Sequence, residues 1–215
     1  INSINTNDGC VAFSPDEQTM VFAKGNSGRK KGAEDVDLYI SRFRRGGWST
    51  PELMRISDGK SWDSTPAFSR DGRTLYFSSN RRGTLGGTAL YAATKNRRGR
   101  WSNVRNLGPI INTAGNEMFP FQATDGSIYF SSTGHPGLGG LDILVAKREG
   151  GKMIVENVGE PINSSSDDFG MFLYTPDKGF FTSNREGGRG DDDIYTFINN
   201  DPNLKIVNYY LTGVT

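Results

Sequence analysis

The stretch Pro66-Ala-Phe-Ser-Arg-Asp-Gly72, which runs into Leu75-Tyr-Phe-Ser-Ser79, decides the fold because the chain contains four versions of it. Asp-Gly between two short apolar runs is typical of a β-hairpin. The last aromatic residue of each version recurs at intervals of 55, 53 and 51 residues, at Phe22, Phe77, Phe130 and Phe181. A period of this size indicates repeated supersecondary units, so we predict four of them.

The composition is typical of a single β-rich domain. The 215 residues include 28 Gly and 9 Pro, which favour short strands joined by turns over helices. With Cys10 as its one cysteine, the chain can form neither an intrachain disulfide nor a cysteine-based metal site. It contains no run of 18 apolar residues and begins at Ile1 without a leader, so we expect an excised domain of a larger protein.

The second strand of each unit carries apolar side chains on both faces, as in Leu75-Tyr-Phe77 and Ile128-Tyr-Phe130. A sheet with one wet face would alternate apolar and polar residues, so other sheets must cover both faces. Radially stacked blades provide this cover. We therefore predict an all-β fold, a β-propeller of four-stranded antiparallel blades, whose recurring aromatic residues form the core.

The number of blades in the complete ring stays open between two alternatives. We favour four blades in this chain, with residues 1–202 forming the propeller. Residues 203–215 are then either the last outer strand or the start of a following β-sandwich. The alternative is that the four units are part of a five-bladed ring from which one blade was cut away before Ile1.

Three phrases of the chain resemble a known family. They are Ser69-Arg-Asp-Gly-Arg-Thr-Leu-Tyr-Phe-Ser-Ser-Asn-Arg81, Gly134-His-Pro-Gly-Leu-Gly-Gly-Leu-Asp142 and Ser183-Asn-Arg-Glu-Gly-Gly-Arg-Gly-Asp-Asp-Asp-Ile-Tyr195. They are similar to the WD40-like, TolB-type repeats of OmpA-family outer-membrane-associated proteins of Bacteroidetes, in particular the PorE-type component of the type IX secretion system.

This resemblance implies a role and a compartment. It implies a periplasmic, outer-membrane-associated scaffold for protein–protein contacts in a secretion complex, with the parent protein held to peptidoglycan through a separate domain. The implied partners are protein components of that complex, with no nucleic acid and no direct membrane span. A carbohydrate- or peptidoglycan-binding propeller is the alternative function.

One acidic residue stands four or five residues ahead of an inner-strand phenylalanine in each unit. Inner strands line the axis of a propeller, so these acids would ring one mouth of the channel and attract a cation or a basic partner group. The alternative is that they cap the turn between blades and face water. The four acids are Asp8, Asp63, Glu117 and Asp168.

A second acid leads the third strand in three units, as Asp37, Asp142 and Asp193, whereas the second unit has Ala89. These carboxylates could hold a cation. We favour a structural role, in which they accept hydrogen bonds from backbone N–H groups of the preceding loop, because one unit manages without the acid.

The charges of the chain are unevenly distributed. Residues 1–107 carry 18 Lys or Arg and 10 Asp or Glu, whereas residues 108–215 carry 7 and 14. We predict that basic loops of the first half dock complementary protein neighbours, with charge setting orientation and association rate. The loop residues are Arg29, Lys30, Lys31, Arg44, Arg45, Arg97 and Arg98.

We expect no enzymatic activity, cofactor or metal. The one histidine, His135, lies in a Gly-His-Pro-Gly turn, and the chain contains no Gly-x-Ser-x-Gly nucleophile elbow. The run Ser69-Arg-Asp-Gly-Arg-Thr74 departs from the Asp box of sialidases, since its Asp and Gly are adjacent and no Trp follows.

Overall fold

A computed structural model describes residues 7–25, 36–199 and 212–213. The described chain forms four antiparallel sheets and contains no helix. Blade 1 consists of β1 (Asp8–Phe13), β2 (Thr19–Gly25) and β3 (Val36–Arg44), with the short strands β4 (Gly47–Trp48) and β5 (Glu52–Leu53) both paired to β3.

The other three blades follow one plan, in which four strands pair in chain order. Blade 2 is β6 (Asp63–Phe68), β7 (Thr74–Ser79), β8 (Ala89–Lys95) and β9 (Trp101–Asn106). Blade 3 is β10 (Glu117–Gln122), β11 (Ile128–Ser132), β12 (Asp142–Glu149) and β13 (Lys152–Asn157). Blade 4 is β14 (Asp168–Thr175), β15 (Lys178–Ser183), β16 (Asp193–Ile198) and β17 (Thr212–Gly213). The prediction of a propeller with four blades in this chain is confirmed.

The boundary at residue 202 stays a prediction. Of residues 203–215, only Thr212 and Gly213 are described, and they pair with Thr196 and Tyr195 at the outer edge of blade 4. Residues 203–211 lie outside the described part of the chain.

The middle strands form the core between blades, as their two-sided apolar pattern predicts. Phe77 and Phe130 are completely buried, and Phe22 and Phe181 nearly so. One cluster joins blade 1 to blade 2 through Val21 and Leu38 against Phe77. Further clusters join blades 2 and 3 and blades 3 and 4. The recurring aromatic residues are therefore core residues.

Each inner strand carries a β-bulge at the same place. The bulge residues have positive φ angles of 43° at Cys10, 45° at Thr65, 52° at Phe119 and 68° at Gly170. Positive φ is uncommon outside glycine and strains the backbone. The bulge interrupts the pairing register of every inner strand and is thus a repeated feature of the fold.

The strand registers show that the four inner-strand phenylalanines fall into two pairs that are not equivalent. Phe68 pairs with Leu75, one residue before the strand tyrosine, whereas Phe121 pairs with Tyr129. A shift of one residue turns a side chain to the opposite face of its strand. The sequence shows the same difference, because the acid stands five residues ahead of this phenylalanine in blades 1 and 2 and four residues ahead in blades 3 and 4.

Blade 4 has one open face in the described structure. In each blade, one residue of the third strand pairs with the core phenylalanine. The residue just before it is completely buried in blades 1, 2 and 3, where it is Leu38, Leu90 and Ile143. Ile194 holds the same position in blade 4 and is 65% exposed. Among the described residues, neighbouring blades contact each other through their strands, but no strand of blade 4 contacts one of blade 1.

Candidate functional site

The inner strands of all four blades line a central channel with a cavity of about 570 Å³. This volume lies within the range of ligand-binding cavities. The lining residues carry no ionisable group other than the Cys10 thiol. They are Cys10, Val11, Ala12, Phe13, Thr65, Pro66, Ala67, Phe68, Phe119, Pro120, Phe121, Gly170, Met171 and Phe172.

Aromatic rings from neighbouring blades meet at this channel. The ring centroids of Phe121 and Phe172 lie 5.1 Å apart, and those of Phe119 and Phe169 lie 4.8 Å apart. Phe172 is still 49% exposed, so one side of the cluster faces the open channel. The channel can therefore offer aromatic surface to an uncharged ligand.

In three blades, the acid that was predicted to ring the channel mouth is buried away from the channel. Asp63, Glu117 and Asp168 are completely buried, and none of them lines the channel cavity. Each accepts a hydrogen bond from a backbone N–H of the turn that enters its blade, donated by Asp58, Thr113 and Ser164 respectively. The alternative role, capping of the turn between blades, describes this geometry, except that the carboxylates are buried and do not face water.

Two of these acids also form buried ion pairs with an arginine that follows the second strand of their blade. Arg81 Nη2 lies 2.9 Å from Asp63 Oδ1, and Arg185 makes the same contact with Asp168. The Arg81 guanidinium packs 5.0 Å from the ring centroid of Phe77, and Arg185 packs 5.2 Å from that of Phe181. These arginines connect the inner-strand acid to the aromatic core.

Blade 3 replaces this ion pair with neutral contacts. Gly134 stands where blades 2 and 4 have Arg81 and Arg185. The ring of His135 packs against Phe130 at 5.7 Å, and its Nε2 donates a hydrogen bond of 2.8 Å to the Ile111 carbonyl. Glu117 meanwhile accepts from the Ser132 hydroxyl at 2.9 Å. The histidine thus has a structural partner at this position.

Asp8 differs from its three counterparts because it is partly exposed. It forms an ion pair of 3.5 Å with Lys24, and it lines two smaller surface cavities beside β1. The four acids are therefore not brought together around a ligand position, and their proposed binding role stays a prediction.

The acids that lead the third strands hold the preceding glycine-rich loops. Asp142 accepts hydrogen bonds from the backbone N–H groups of Leu138 and Gly139, and Asp193 does so from Arg189 and Gly190. Asp37 is buried at the same position in blade 1. The structural interpretation is confirmed for Asp142 and Asp193.

The basic docking residues lie in exposed turns where the structure describes them. Arg44 and Arg45 lie at the β3–β4 turn, and Arg97 and Arg98 at the β8–β9 turn, all exposed. Arg29, Lys30 and Lys31 lie outside the described residues. Blade 2 holds most of the excess positive charge of residues 1–107, because residues 63–106 contain nine Lys or Arg and two Asp.

Sequence reasoning missed a groove between the outer parts of blades 1 and 2. Its cavity is about 260 Å³. It combines buried apolar residues with three arginines that are far apart in the chain, and no spacing pattern could have grouped them. The lining residues are Ile40, Arg42, Glu52, Leu53, Met54, Arg55, Gly99, Arg100 and Trp101.

In the described ranges, no three His, Cys, Asp or Glu side chains are grouped so that they could hold a metal ion. No helix suited to crossing a membrane occurs in the same part of the chain.

The chain matches no family model and no curated protein. Solved structures share its fold. A glycoside hydrolase matches 98% of this chain over 74% of its own length, with 11% identity and a TM-score of 0.64. The periplasmic gluconolactonase of Pseudomonas aeruginosa matches 95% of this chain over 71% of its length, with 14% identity and a TM-score of 0.58.

A puromycin hydrolase matches 97% of this chain at 13% identity and a TM-score of 0.60, and this chain spans 30% of its length. The chain likewise spans 48% of a sialidase from a Hadza microbial source. At these identities the matches establish the β-propeller fold. They carry no information on OmpA-family or secretion proteins.

The prediction that the chain is not an enzyme is wrong. The proteins that share its fold are largely hydrolases, among them the glycoside hydrolase, the gluconolactonase and the puromycin hydrolase. The sequence lacks a nucleophile elbow and has its one histidine in a turn, which argues against one type of Ser-His site. These two features do not argue against other hydrolytic mechanisms. The likeness in fold assigns no particular reaction to this chain.

Proposed function

We propose that the propeller is a protein-interaction domain of a periplasmic, outer-membrane-associated complex of the type IX secretion kind. Its partners are protein components of that complex, and its parent protein is anchored to peptidoglycan through a separate domain. The family resemblance of the repeat phrases supports the compartment. The uncompensated positive charge of blade 2 supports the docking role.

Blade 2 keeps an excess of positive surface charge because one of its two acids is buried. Asp63 is buried against Arg81, and Asp71 accepts hydrogen bonds within its own turn from Ser69 and Arg73. Asp71 is exposed beside Arg73, so a single surface carboxylate faces the remaining Lys and Arg residues of the blade and the excess charge stays positive. A positive surface of this kind steers an acidic partner and sets its orientation.

Charge reversal in the described basic turns tests this function. The propeller carrying Arg44→Glu, Arg45→Glu, Arg97→Glu and Arg98→Glu would be used to capture purified outer-membrane secretion components. We expect the unaltered domain to retain them and this variant to lose them. A matched control reverses Arg148, Lys152, Lys178 and Arg189, which lie in blades 3 and 4. Equal loss in both variants, or no capture by the unaltered domain, would contradict the proposal.

The aromatic channel favours a second function, the binding of a carbohydrate. Exposed aromatic rings stack on the apolar faces of sugars, and Phe119, Phe121 and Phe172 supply such rings without a charged group nearby. Calorimetric titration with neutral N-acetylglucosamine oligosaccharides would detect this binding, and Phe172→Ala should weaken it. The same samples would be assayed for hydrolysis of the sugar. Unchanged affinity of the Phe172→Ala variant would remove the channel as the binding site.

A further inference from the structure

The groove between blades 1 and 2 has an apolar floor and a positive rim. Ile40 and Met54 are buried at its base, while Leu53 remains 41% exposed. Trp101 forms one wall and is held by its contact with Phe68, with ring centroids 5.8 Å apart. The floor thus offers apolar surface that nothing in the described structure covers.

The rim carries more positive than negative charge. Arg42 lies 3.5 Å from Glu52, the one acid of the groove. Arg55 and Arg100 are exposed, and the described residues include no ion pair for either of them. Lys95 adds a further positive charge 4.9 Å from the Trp101 ring centroid. Two guanidinium groups beside an apolar floor are therefore free to take carboxylates.

The frame of the groove is held by backbone pairing. Ile40 pairs with Glu52 and Tyr39 with Leu53 across β3 and β5, and the Met54 N–H donates to the Leu38 carbonyl at 2.9 Å. On the other side, Lys95 pairs with Trp101 across the β8–β9 hairpin. A rigid frame lowers the ordering cost of binding.

We propose that this groove docks an acidic peptide segment that carries an apolar side chain. The apolar side chain enters between Leu53 and Trp101, and carboxylates on either side of it bind Arg55 and Arg100. Arginine suits this role because its planar guanidinium can bind a carboxylate through two parallel hydrogen bonds. The cavity of about 260 Å³ is small for a whole ligand molecule, which favours a single inserted side chain.

This inference rests on the proposed docking function and names the surface and the partner's chemistry. It differs from docking at the β3–β4 and β8–β9 turns, because those turns offer charge without the apolar floor. A nucleic acid or another polyanion would use the charge and leave the floor empty, so the two kinds of ligand respond differently to changes at Leu53.

Fluorescence anisotropy with labelled ten-residue peptides tests the proposal. The probe contains four Asp or Glu residues around a central Leu, and its two controls replace that Leu with Ser or the acids with Lys. We expect the Leu peptide to bind at least about tenfold more tightly than either control, as expected when one buried side chain or one charge contact is lost. Equal binding of the Leu and Ser peptides would overturn the proposal.

Protein variants locate the site. Arg55→Glu with Arg100→Glu should weaken binding of the Leu peptide by at least about tenfold, and Leu53→Ser should weaken the Leu peptide but leave the Ser peptide unchanged. The control Arg148→Glu with Lys152→Glu makes the same charge change at exposed residues of blade 3 and should have a much smaller effect. Equal loss in both double variants would show non-specific charge attraction and refute the groove.

Capture of secretion components separates this inference from the function on which it rests. If capture persists in the Arg55→Glu, Arg100→Glu variant and is lost in the four-residue turn variant, the groove inference fails and the docking function stands. If capture is lost in the groove variant alone, the groove is supported as the docking surface. Tight binding of a DNA oligonucleotide that Leu53→Ser leaves unchanged, with no binding of the Leu peptide, would contradict the proposal in favour of a polyanion.

Discussion

Arg81 and Asp63 form a buried ion pair in which the guanidinium lies 2.9 Å from the carboxylate. Asp63 is completely buried, and the Arg81 side chain is 13% exposed. Arg81 also donates to the Ile56 carbonyl and the Ser79 hydroxyl, and its guanidinium lies 5.0 Å from the Phe77 ring centroid. One side chain therefore joins the turn before the blade, the inner strand and the core.

Removal of Arg81 should strongly destabilise the propeller. The variant Arg81→Met leaves the Asp63 carboxylate buried without its cation, which costs about 3 to 5 kcal/mol in the free energy of unfolding. Urea denaturation followed by circular dichroism measures this loss. The control Arg82→Met changes an exposed neighbour and should shift stability by less than about 0.5 kcal/mol. A small loss for Arg81→Met would show that the pair contributes little to folding.

Ile143 and Ile194 test the open face of blade 4, because they hold equivalent positions with opposite exposure. Ile143→Ala should cost about 2 to 5 kcal/mol of unfolding free energy through loss of buried apolar volume. Ile194→Ala should cost less than about 1 kcal/mol, the range of strand propensity alone. Equilibrium denaturation of both variants gives the comparison. Equal costs would mean that Ile194 is covered in solution.

Hydrogen bonds in the turn between β6 and β7 lower the pKa of Asp71. The hydroxyl of Ser69 and, after it, the backbone N–H of Arg73 hold the pKa of Asp71 below its ordinary value of 3.8. Ser69→Ala removes the larger of these causes, so the pKa of Asp71 should rise toward 3.8. Carbon-13 NMR titration of the side-chain carboxyl measures it. Asp16 has its own serine partner, Ser14, and its pKa should stay unchanged in this variant.

The same shift sets the sign of a pH effect on stability. Because the folded state lowers the pKa of Asp71, its stabilising contribution is present above pH 3.8 and is lost as the pH falls through the lower folded value. The stability difference between the unaltered protein and Ser69→Ala should therefore shrink at acidic pH. A difference that grows on acidification would contradict this sign.

The loop that precedes Asp142 requires a glycine at position 137. A Cβ atom there would lie 2.0 Å from the Asp142 carboxylate oxygen, so the carboxylate would have to leave the N–H groups of Leu138 and Gly139. We expect Gly137→Ala to cost about 1 to 3 kcal/mol of unfolding free energy. Thermal or urea unfolding measures the cost. Gly47→Ala is the matched control, since nothing lies within 4 Å of the Cβ position there.

Local sequence patterns predicted the repeated elements correctly because strand and turn formation depends on neighbouring residues. Asp-Gly at residues 71–72 produces a turn through the Asp71 carboxylate and the positive φ of Gly72. Acids such as Asp142 were correctly interpreted as loop acceptors for the same reason. Their partners lie within four residues in the chain.

The candidate site was harder to predict because its parts are distant in sequence. The sequence correctly predicted that Asp63 lies at the start of an inner strand. Its burial depends on the ion pair with Arg81, which follows the next strand of the blade. The face on which Phe68 or Phe121 lies depends on the strand register beyond a bulge whose position no local pattern marks. The groove of Arg42, Arg55 and Arg100 arises where two blades pack.

By itself, the sequence determined a β-propeller with four blades in this chain, since a period of about 50 residues and strands that are apolar on both faces require neighbouring sheets to cover those faces. The tertiary structure alone decided which residues face the channel, which acids are buried and which arginines share a surface. These properties depend on register and on contacts between blades, and both are set by packing between residues that are far apart along the chain.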